Sequence, residues 1–206
     1  MQLNLMILDD FFDNADQLRE AALRLQYPET SEKTYFPGRN ANGPINIPGM
    51  DDMISRMVGE KLRPAPGTSH GVFRMAMEGD EGAGNVHIDE CHWSGIFYLT
   101  PDEHANGGTD FYRHKATGTD HAPYTPQQLD AIGLKQQSDI WDKILIPDSN
   151  NMDAWEHLMR VPMKYNRLIL FRPWYYHNAG PSFGSTPETA RLILPLFYVS
   201  DGPLGR

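Results

Sequence analysis

Three residues of types that bind transition metals stand out in the sequence: His87, Asp89 and, far downstream, His177. Residues two apart on a β-strand project to the same face, so one strand end can present both His87 and Asp89 to one ion. His177 follows the apolar run 167–173 and is expected at the end of another strand. Two histidines and one carboxylate form the facial set of non-haem Fe(II) oxygenases, which leaves about three positions of an octahedral ion open. The pattern indicates oxygen chemistry rather than hydrolysis.

Other interpretations of the same residues remain open at this point. The HxD pair alone recurs by chance, and it also fits two polar residues in a loop after a glycine-rich turn. A structural zinc site is less favoured, because it usually has four protein ligands that are often cysteines. The chain has one cysteine, Cys91. A single cysteine cannot form an internal disulfide, which predicts a reducing compartment and a cytoplasmic location.

Two further side chains suit a carboxylate co-substrate. Arg191 opens the strand-like run RLILPLFY, and a guanidinium can hold a carboxylate through two parallel hydrogen bonds. Tyr98 lies in the run GIFYLT soon after the HxD pair, and its hydroxyl can donate to the same carboxylate. Without the metal-binding residues, a surface arginine and a core tyrosine would be the preferred interpretations.

The overall charge limits the partners of the chain. The formal net charge of the 206 residues is −9, which argues against a nucleic-acid backbone or an anionic membrane as a partner. No apolar run approaches the roughly 20 residues of a membrane helix. The first ten residues have no basic start and no small-residue cleavage site, so they predict a strand rather than a signal peptide. We therefore expect a small-molecule or peptidyl substrate, and the oligomeric state is open.

The N-terminal part predicts a short strand and two helices. The strand covers 3–8, the first helix runs from residue 13 or 14 through about 25, an irregular loop covers 36–49, and the second helix covers 50–62. In the second helix, Met53, Ile54 and Met57 are expected to face inward. From about residue 70 onward, short apolar and aromatic runs separated by glycine, proline and asparagine predict strands. These runs cover 71–77, 85–89, 95–100, 108–112, 167–173 and 191–199.

These elements predict a mostly β fold with supporting helices: a double-stranded β-helix, or jelly-roll barrel, with the N-terminal helices packed on it. We expect a single domain over 1–206, with helical support over about 1–66. A helical insertion is expected over about 113–165, where it could cover the mouth of the pocket. Three helices are expected in this insertion. Thr125 caps the first, the second covers 139–145 and the third covers 153–160.

Taken in order, these motifs resemble the 2-oxoglutarate- and Fe(II)-dependent dioxygenases, and among them a bacterial subgroup of the prolyl-4-hydroxylase-like branch. The matching features are the N-terminal strand and helix, the HxD pair, YLT, the turn GGT-x-FY at 107–112, LILF, a distal histidine and RLILPLFY. The resemblance covers 70–206 well and the N-terminal part more loosely.

The resemblance implies that His87, Asp89 and His177 are the catalytic ligands of Fe(II). It implies that Arg191 binds the distal carboxylate of 2-oxoglutarate with support from Tyr98, and that O2 is consumed. Hydroxylation of an amino-acid, peptide or small-molecule substrate follows from the same resemblance. Related iron halogenases have a small residue in place of the carboxylate ligand, so Asp89 favours hydroxylation.

The chain differs from that branch in the segment between His177 and Arg191, which is longer than expected. Arg172 is therefore an alternative anchor for the carboxylate. Arg74 either meets an acidic ligand inside the barrel or lies on the surface. Two other functions stay open: a cupin-like metal enzyme that does not use 2-oxoglutarate, and a non-enzymatic jelly-roll module that holds a structural ion.

Overall fold

The structure is a computed structural model that describes residues 3–29 and 34–203. The strands are β1 (Leu5–Leu8), β2 (Arg39–Asn40), β3 (Glu60–Pro64), β4 (Arg74–Ala76), β5 (Trp93–Tyr98), β6 (Gly108–His114), β7 (Trp155–Pro162), β8 (Leu168–Phe171), β9 (His177–Asn178) and β10 (Arg191–Pro203). The α-helices are α1 (Ala15–Leu23), α2 (Met50–Val58), α3 (Pro126–Ala131), α4 (Ser138–Ile140) and α5 (Ile146–Asp148). A π-helical turn (Trp141–Leu145) joins α4 to α5, and a 3-10 turn (Met152–Ala154) precedes β7.

The strands form two antiparallel sheets, which confirms the mostly β class. The larger sheet has seven strands in the order β1-β8-β5-β10-β4-β2, with β3 paired to β10. The smaller sheet has the order β7-β6-β9. The main core lies on one side of the larger sheet, where Phe73, Trp93, Phe97 and Leu194 pack with α1 and α2. None of the helices in the described ranges is long and apolar enough to cross a membrane.

The second helix is shorter than the sequence predicts. It ends at Val58 because Gly59 adopts a left-handed conformation with φ of 75°, which glycine tolerates without steric cost. Residues Glu60–Pro64 then pair with the end of β10 instead of continuing the helix. Ile54 is fully buried as expected, whereas Met57 is 39% exposed, so its predicted inward orientation is wrong. Part of the segment predicted as helical support, about 1–66, therefore belongs to the larger sheet.

The predicted helix over 153–160 is also wrong. Residues Trp155–Pro162 form β7, which pairs with β6 along its whole length. Strand pairing satisfies the backbone groups of this stretch while burying Trp155 and Val161 at its two ends. The helical part of the insertion is therefore confined to 126–154, and its flanks belong to the smaller sheet rather than to the predicted 113–165 helical segment.

A third difference concerns the HxD segment. Residues 85–89 form no regular strand; only an isolated antiparallel bridge joins His87 to His177. His87 is therefore held by this backbone bridge to His177, and not by the regular strand that the run NVHID predicts.

Gly108 occupies a position that no other residue can take without strain. Its φ is +153°, and a Cβ there would overlap the carbonyl oxygen of Val161. We expect Gly108→Ala to lower the free energy of unfolding by about 3 kcal/mol, from overpacking and backbone strain together. Gly133→Ala is the control, because its Cβ would meet nothing within 4 Å at a φ of +75°; there a cost of about 1 kcal/mol is expected. Denaturant unfolding measures the free energy of unfolding of both variants. Equal losses would contradict the steric constraint at Gly108.

The pairing of β6 with β7 includes a buried carboxylate. Asp110 is 2% exposed and accepts hydrogen bonds from His157 Nε2 at 2.8 Å, Arg160 Nε at 2.8 Å and Arg160 Nη2 at 2.9 Å. Although burial acts to raise the pKa of Asp110, these bonds and charges bring it below its ordinary 3.8. The folded state therefore favours the ionised carboxylate more strongly than the unfolded state does.

This lowered pKa makes the contribution of Asp110 depend on pH. We expect Asp110→Asn to lower the free energy of unfolding by about 2 kcal/mol at neutral pH. The difference from wild type should persist above the unfolded pKa and shrink as the pH falls through the lower folded pKa. Unfolding measured across acidic and neutral pH checks this. Asp142→Asn, at an exposed site, should show little difference at any pH, and a pH-independent loss for Asp110→Asn would refute the prediction.

Candidate metal centre

His87, Asp89 and His177 converge at one point of the structure. His87 Nε2 lies 3.6 Å from Asp89 Oδ1, and His177 Nε2 lies 3.4 Å from Asp89 Oδ2. One ligand atom from each of the three residues lies within 4.8 Å of the others. The spacing suits three donors around one ion, as the sequence predicts.

Backbone contacts fix this arrangement. The amide of His87 donates to the carbonyl of His177 at 2.9 Å, and the amide of His177 donates back at 3.0 Å. The two imidazole rings are 4.3 Å apart between centroids. The amide of Asp89 donates to the carbonyl of Pro173 at 3.1 Å, next to the end of β8. Two chain segments distant in sequence are thereby locked together at the site.

The outer nitrogen of each imidazole already has a partner. His87 Nδ1 lies 2.8 Å from the carbonyl oxygen of Asn85, and His177 Nδ1 lies 2.8 Å from that of Tyr175. A carbonyl accepts only, so each Nδ1 carries a proton, and in a neutral imidazole the Nε2 lone pair is left for an ion. Ser94 Oγ donates to Asp89 Oδ2 at 2.5 Å, which orients the carboxylate.

The protonation states also suit a cation. Burial, followed by the neighbouring His177, lowers the pKa of His87 to about 4, so the imidazole is neutral at neutral pH. Burial acts to raise the pKa of Asp89, but His177, His87 and Ser94 together lower it overall. Two imidazole nitrogens with one carboxylate fit a divalent transition metal with open positions. The donor set is therefore compatible with Fe(II).

A cavity of about 1050 Å³ opens onto these three residues. Its walls include the apolar side chains of Ile96, Phe171 and Ile193, and its inner polar groups include Thr109. The segment between His177 and Arg191, which is longer than expected, contributes 179–182 to the cavity lining. Trp141 of the insertion also reaches the cavity.

Arg191 lies in this cavity and is 2% exposed. Within the described part of the chain its guanidinium has no ion pair, and Nε has no hydrogen-bond partner. Burial lowers the pKa of Arg191 while Tyr98 acts in the opposite direction, and a guanidinium stays protonated at neutral pH. An unpaired buried charge is costly, so this guanidinium is available to an anionic ligand that enters the cavity.

The other predicted anchors have different positions. Tyr98 is fully buried behind the cavity wall, with its hydroxyl 2.7 Å from Thr109 Oγ1. Thr109 itself lines the cavity, so it is the hydroxyl group placed to meet a ligand there. Arg172 is bonded to Glu60 Oε1 at 2.5 Å and stacks over Trp93. Its charge is already paired, which makes the alternative anchor a structural residue.

The sequence gives no role to Ser94 or Thr109 and leaves Arg74 undecided. Ser94 directly precedes the predicted strand run 95–100, and only the fold brings it against Asp89. Thr109 follows the paired glycines of the GGT turn, a signal that could have marked it as facing the pocket. Arg74 faces the cavity because it lies opposite Ile193 in the pairing of β4 with β10.

A sequence profile of one protein family matches residues 82–198, which include all three converging residues and Arg191. The profile is described as a family of unknown function, DUF6445. The chain belongs to the DUF6445 family. The match covers the segment that builds the candidate metal centre of this DUF6445 protein, from the glycine-rich turn through most of β10. A comparison with curated proteins found no match.

Two solved structures are similar to this DUF6445 protein. One is the non-heme alpha ketoglutarate dependent epimerase SnoN from nogalamycin biosynthesis, with 14% sequence identity and a TM-score of 0.49 over 95% of this chain and 78% of that chain. The other is HygX from Streptomyces hygroscopicus with nickel and 2-oxoglutarate bound, with 12% identity and a TM-score of 0.47 over 97% of this chain and 83% of that chain. At this level of similarity, neither likeness determines an activity for this chain.

Proposed function

We propose that this protein is a non-haem Fe(II) dioxygenase that couples decarboxylation of 2-oxoglutarate to hydroxylation of a small-molecule or peptidyl substrate. One observation carries the proposal: a buried arginine without an ion pair among the described residues, Arg191, shares a cavity with the His87, Asp89 and His177 cluster. A three-residue metal set alone fits several enzymes. A separate buried cation beside it fits a co-substrate with a second carboxylate.

Each side chain has a defined task in this proposal. His87, Asp89 and His177 hold the ion, which when bound supplies the oxidative chemistry. Arg191 and the hydroxyl of Thr109 hold the distal carboxylate, while Tyr98 keeps the Thr109 hydroxyl in place. The apolar walls formed by Ile96, Phe171 and Ile193 exclude water from the reacting groups.

The wider organisation follows from the same proposal. We infer that the two antiparallel sheets form the two sides of a double-stranded β-helix, as in the prolyl-4-hydroxylase-like branch. We infer a single domain over 1–206. We infer a cytoplasmic enzyme without a nucleic-acid or membrane partner.

Turnover without the natural substrate tests the proposal. The protein with Fe(II), 2-oxoglutarate and O2 should form succinate slowly, and both Asp89→Ala and Arg191→Met should abolish this formation. A cupin-like enzyme would give no succinate, because it leaves Arg191 without a role. A structural metal module would also give none, and chelation would unfold it. Succinate formation that is unchanged in both variants would refute the proposal.

Ser94→Ala tests the hydrogen bond that orients the carboxylate ligand. Loss of an outer partner of a metal ligand costs roughly 10–100-fold in metal affinity, and we expect a value near the lower end because Asp89 itself remains. Competition with a chromophoric chelator measures the affinity. Ser55→Ala, a buried serine that accepts from the amide of Leu62, is the control and should leave the metal affinity unchanged. Equal metal affinities for Ser94→Ala and wild type would show that the hydrogen bond from Ser94 does not orient the metal ligand.

A further inference from the structure

A second arginine is buried in the same cavity. Arg74 is 8% exposed and lines the cavity, and its guanidinium carbon lies 3.3 Å from the ring centroid of Phe36. It lies opposite Ile193 in the sheet, and Ile193 is two residues from Arg191. Both arginines therefore project from the same face of neighbouring strands into one space.

The hydrogen bonds of Arg74 leave one end of the guanidinium free. Its Nε donates to Asn40 Oδ1 at 2.9 Å, and its Nη2 donates to Ser69 Oγ at 3.0 Å. Across the described ranges, Nη1 has no hydrogen-bond partner, and no carboxylate forms an ion pair with Arg74. Ser69 also lines the cavity, and because its oxygen accepts from Arg74, its own proton is free to donate. Two neighbouring donors, Nη1 and the Ser69 hydroxyl, thus face the cavity.

Neutral partners position this guanidinium without neutralising it. Asn40, Ser69 and Phe36 hold the group in place. Burial and then the charge of Arg191 lower the pKa of Arg74 to about 9, while the charge of Asp89 acts in the opposite direction. The group is still protonated at neutral pH. Buried charges are normally paired, so a guanidinium whose hydrogen-bond partners are all neutral is prepared for an anion that arrives with a ligand.

Charge balance separates the roles of the two arginines. A divalent ion, the Asp89 carboxylate, the two carboxylates of 2-oxoglutarate and Arg191 together carry no net charge. Arg74 is left over with one positive charge. Asp80, Glu81 and Glu90 also line the cavity, but Glu81 and Glu90 are exposed and Asp80 accepts from the amide of Met77. A further anionic group beside Arg74 would therefore balance its charge at close range.

We propose that Arg74, with Ser69, binds a carboxylate of the primary substrate, and that the enzyme acts on molecules with such an anionic group. This inference rests on the proposed function, because it assigns the co-substrate to Arg191. Two adjacent donors and one unpaired charge match a singly charged carboxylate. A phosphate group carries more charge and needs more donors than the pair supplies. Arg74 is thus a specificity residue, which selects among substrates without holding the metal.

Simple carboxylates test the inference in a protein saturated with Mn(II) and 2-oxoglutarate. The probes are acetate, propionate and benzoate, each compared with its primary amide at constant ionic strength, with inorganic phosphate as a further arm. A ligand that binds only the folded state raises the melting temperature. We expect at least one carboxylate to raise it by about 3 °C in wild type, while its amide and phosphate have little effect.

Variants assign the effect to Arg74. Arg74→Gln should abolish the shift caused by the carboxylate, Ser69→Ala should reduce it, and Arg39→Gln should retain it, because Arg39 lies in the same sheet but outside the cavity lining. The melting temperature of each variant without probe shows that it is folded. Equal shifts by acids and amides, a shift retained in Arg74→Gln, or no carboxylate response would each overturn the inference.

The same variants separate this inference from the proposed function. The visible band formed by Fe(II) and 2-oxoglutarate under anaerobic conditions should persist in Arg74→Gln, because Arg191 anchors the co-substrate. If the band forms but carboxylates have no effect, only the substrate inference is wrong. If no band forms in wild type, the proposed function is wrong; Arg74→Gln and Arg191→Gln then show, in the metal-free protein, which arginine binds the carboxylates. A carboxylate effect that needs Arg191 and not Arg74 would overturn the inference in that case as well.

Discussion

Replacing Arg191 by methionine should raise the Kd for 2-oxoglutarate by about 100-fold while the Kd for Fe(II) changes little. The substitution removes the only buried positive charge assigned to the distal carboxylate. Loss of one partner of a buried charge pair costs about 2–5 kcal/mol, and each 1.4 kcal/mol corresponds to tenfold in affinity. Titration of the metal-loaded protein with 2-oxoglutarate gives the Kd. Arg191→Lys should recover part of the affinity, because the ammonium keeps the charge and loses the planar pair of donors.

The stability of Arg191→Met adds an independent check on the same residue. In the empty protein the guanidinium is buried without an ion pair among the described residues, so its removal should leave the free energy of unfolding unchanged or increase it. Arg113→Gln, an exposed arginine paired with Glu156, is the control for lost charge and should bind 2-oxoglutarate normally. A variant of Arg191 that unfolds, or that binds 2-oxoglutarate as wild type does, would contradict its role as an anchor.

Replacing Asp89 by alanine should reduce Fe(II) affinity by more than about 100-fold. The variant loses one of three ligands, and that loss exceeds the roughly 10–100-fold cost of an outer partner. It also leaves the two imidazoles of the cluster without the negative charge that partly balances the ion. Equilibrium competition with a chelator under anaerobic conditions measures the affinity.

Glu90→Ala provides a matched control for Asp89→Ala. Glu90 is the neighbouring acid, lines the same cavity and is exposed, but it does not belong to the cluster that converges on one point. The two variants lose the same charge within the same segment. Equal losses of Fe(II) affinity would mean that the affinity depends on the general charge of the cavity and not on ligation by Asp89.

The strands were predictable where a short apolar run met no competing pattern. β5, β8 and β10 bury nearly every side chain at their centres, and their sequences contain the β-branched and aromatic residues that such strands favour. β7 was missed because its exposed middle residues mix charged and apolar side chains, so its sequence shows no clear alternation. Its strand state comes from long-range pairing with β6, which local propensity does not encode.

The candidate site was partly predictable for a similar reason. Residue type and spacing single out His87, Asp89 and His177 as candidates, and the fold brings the three together. The unpaired state of Arg191 and Arg74 depends on which acids the fold places elsewhere. Arg172 illustrates the point, since Glu60 neutralises it through a contact across 112 residues. No local sequence pattern shows which of these three arginines is left without an ion pair and is available to a ligand.

Anaerobic spectroscopy tests the central claim most directly. Fe(II) is added to the protein and 2-oxoglutarate is then titrated while visible absorption is recorded. The account predicts a metal-to-ligand charge-transfer band that saturates at one 2-oxoglutarate per chain, disappears in Asp89→Ala and requires far more 2-oxoglutarate in Arg191→Met. Absence of the band in wild type, or a band that is unchanged in both variants, would contradict the account.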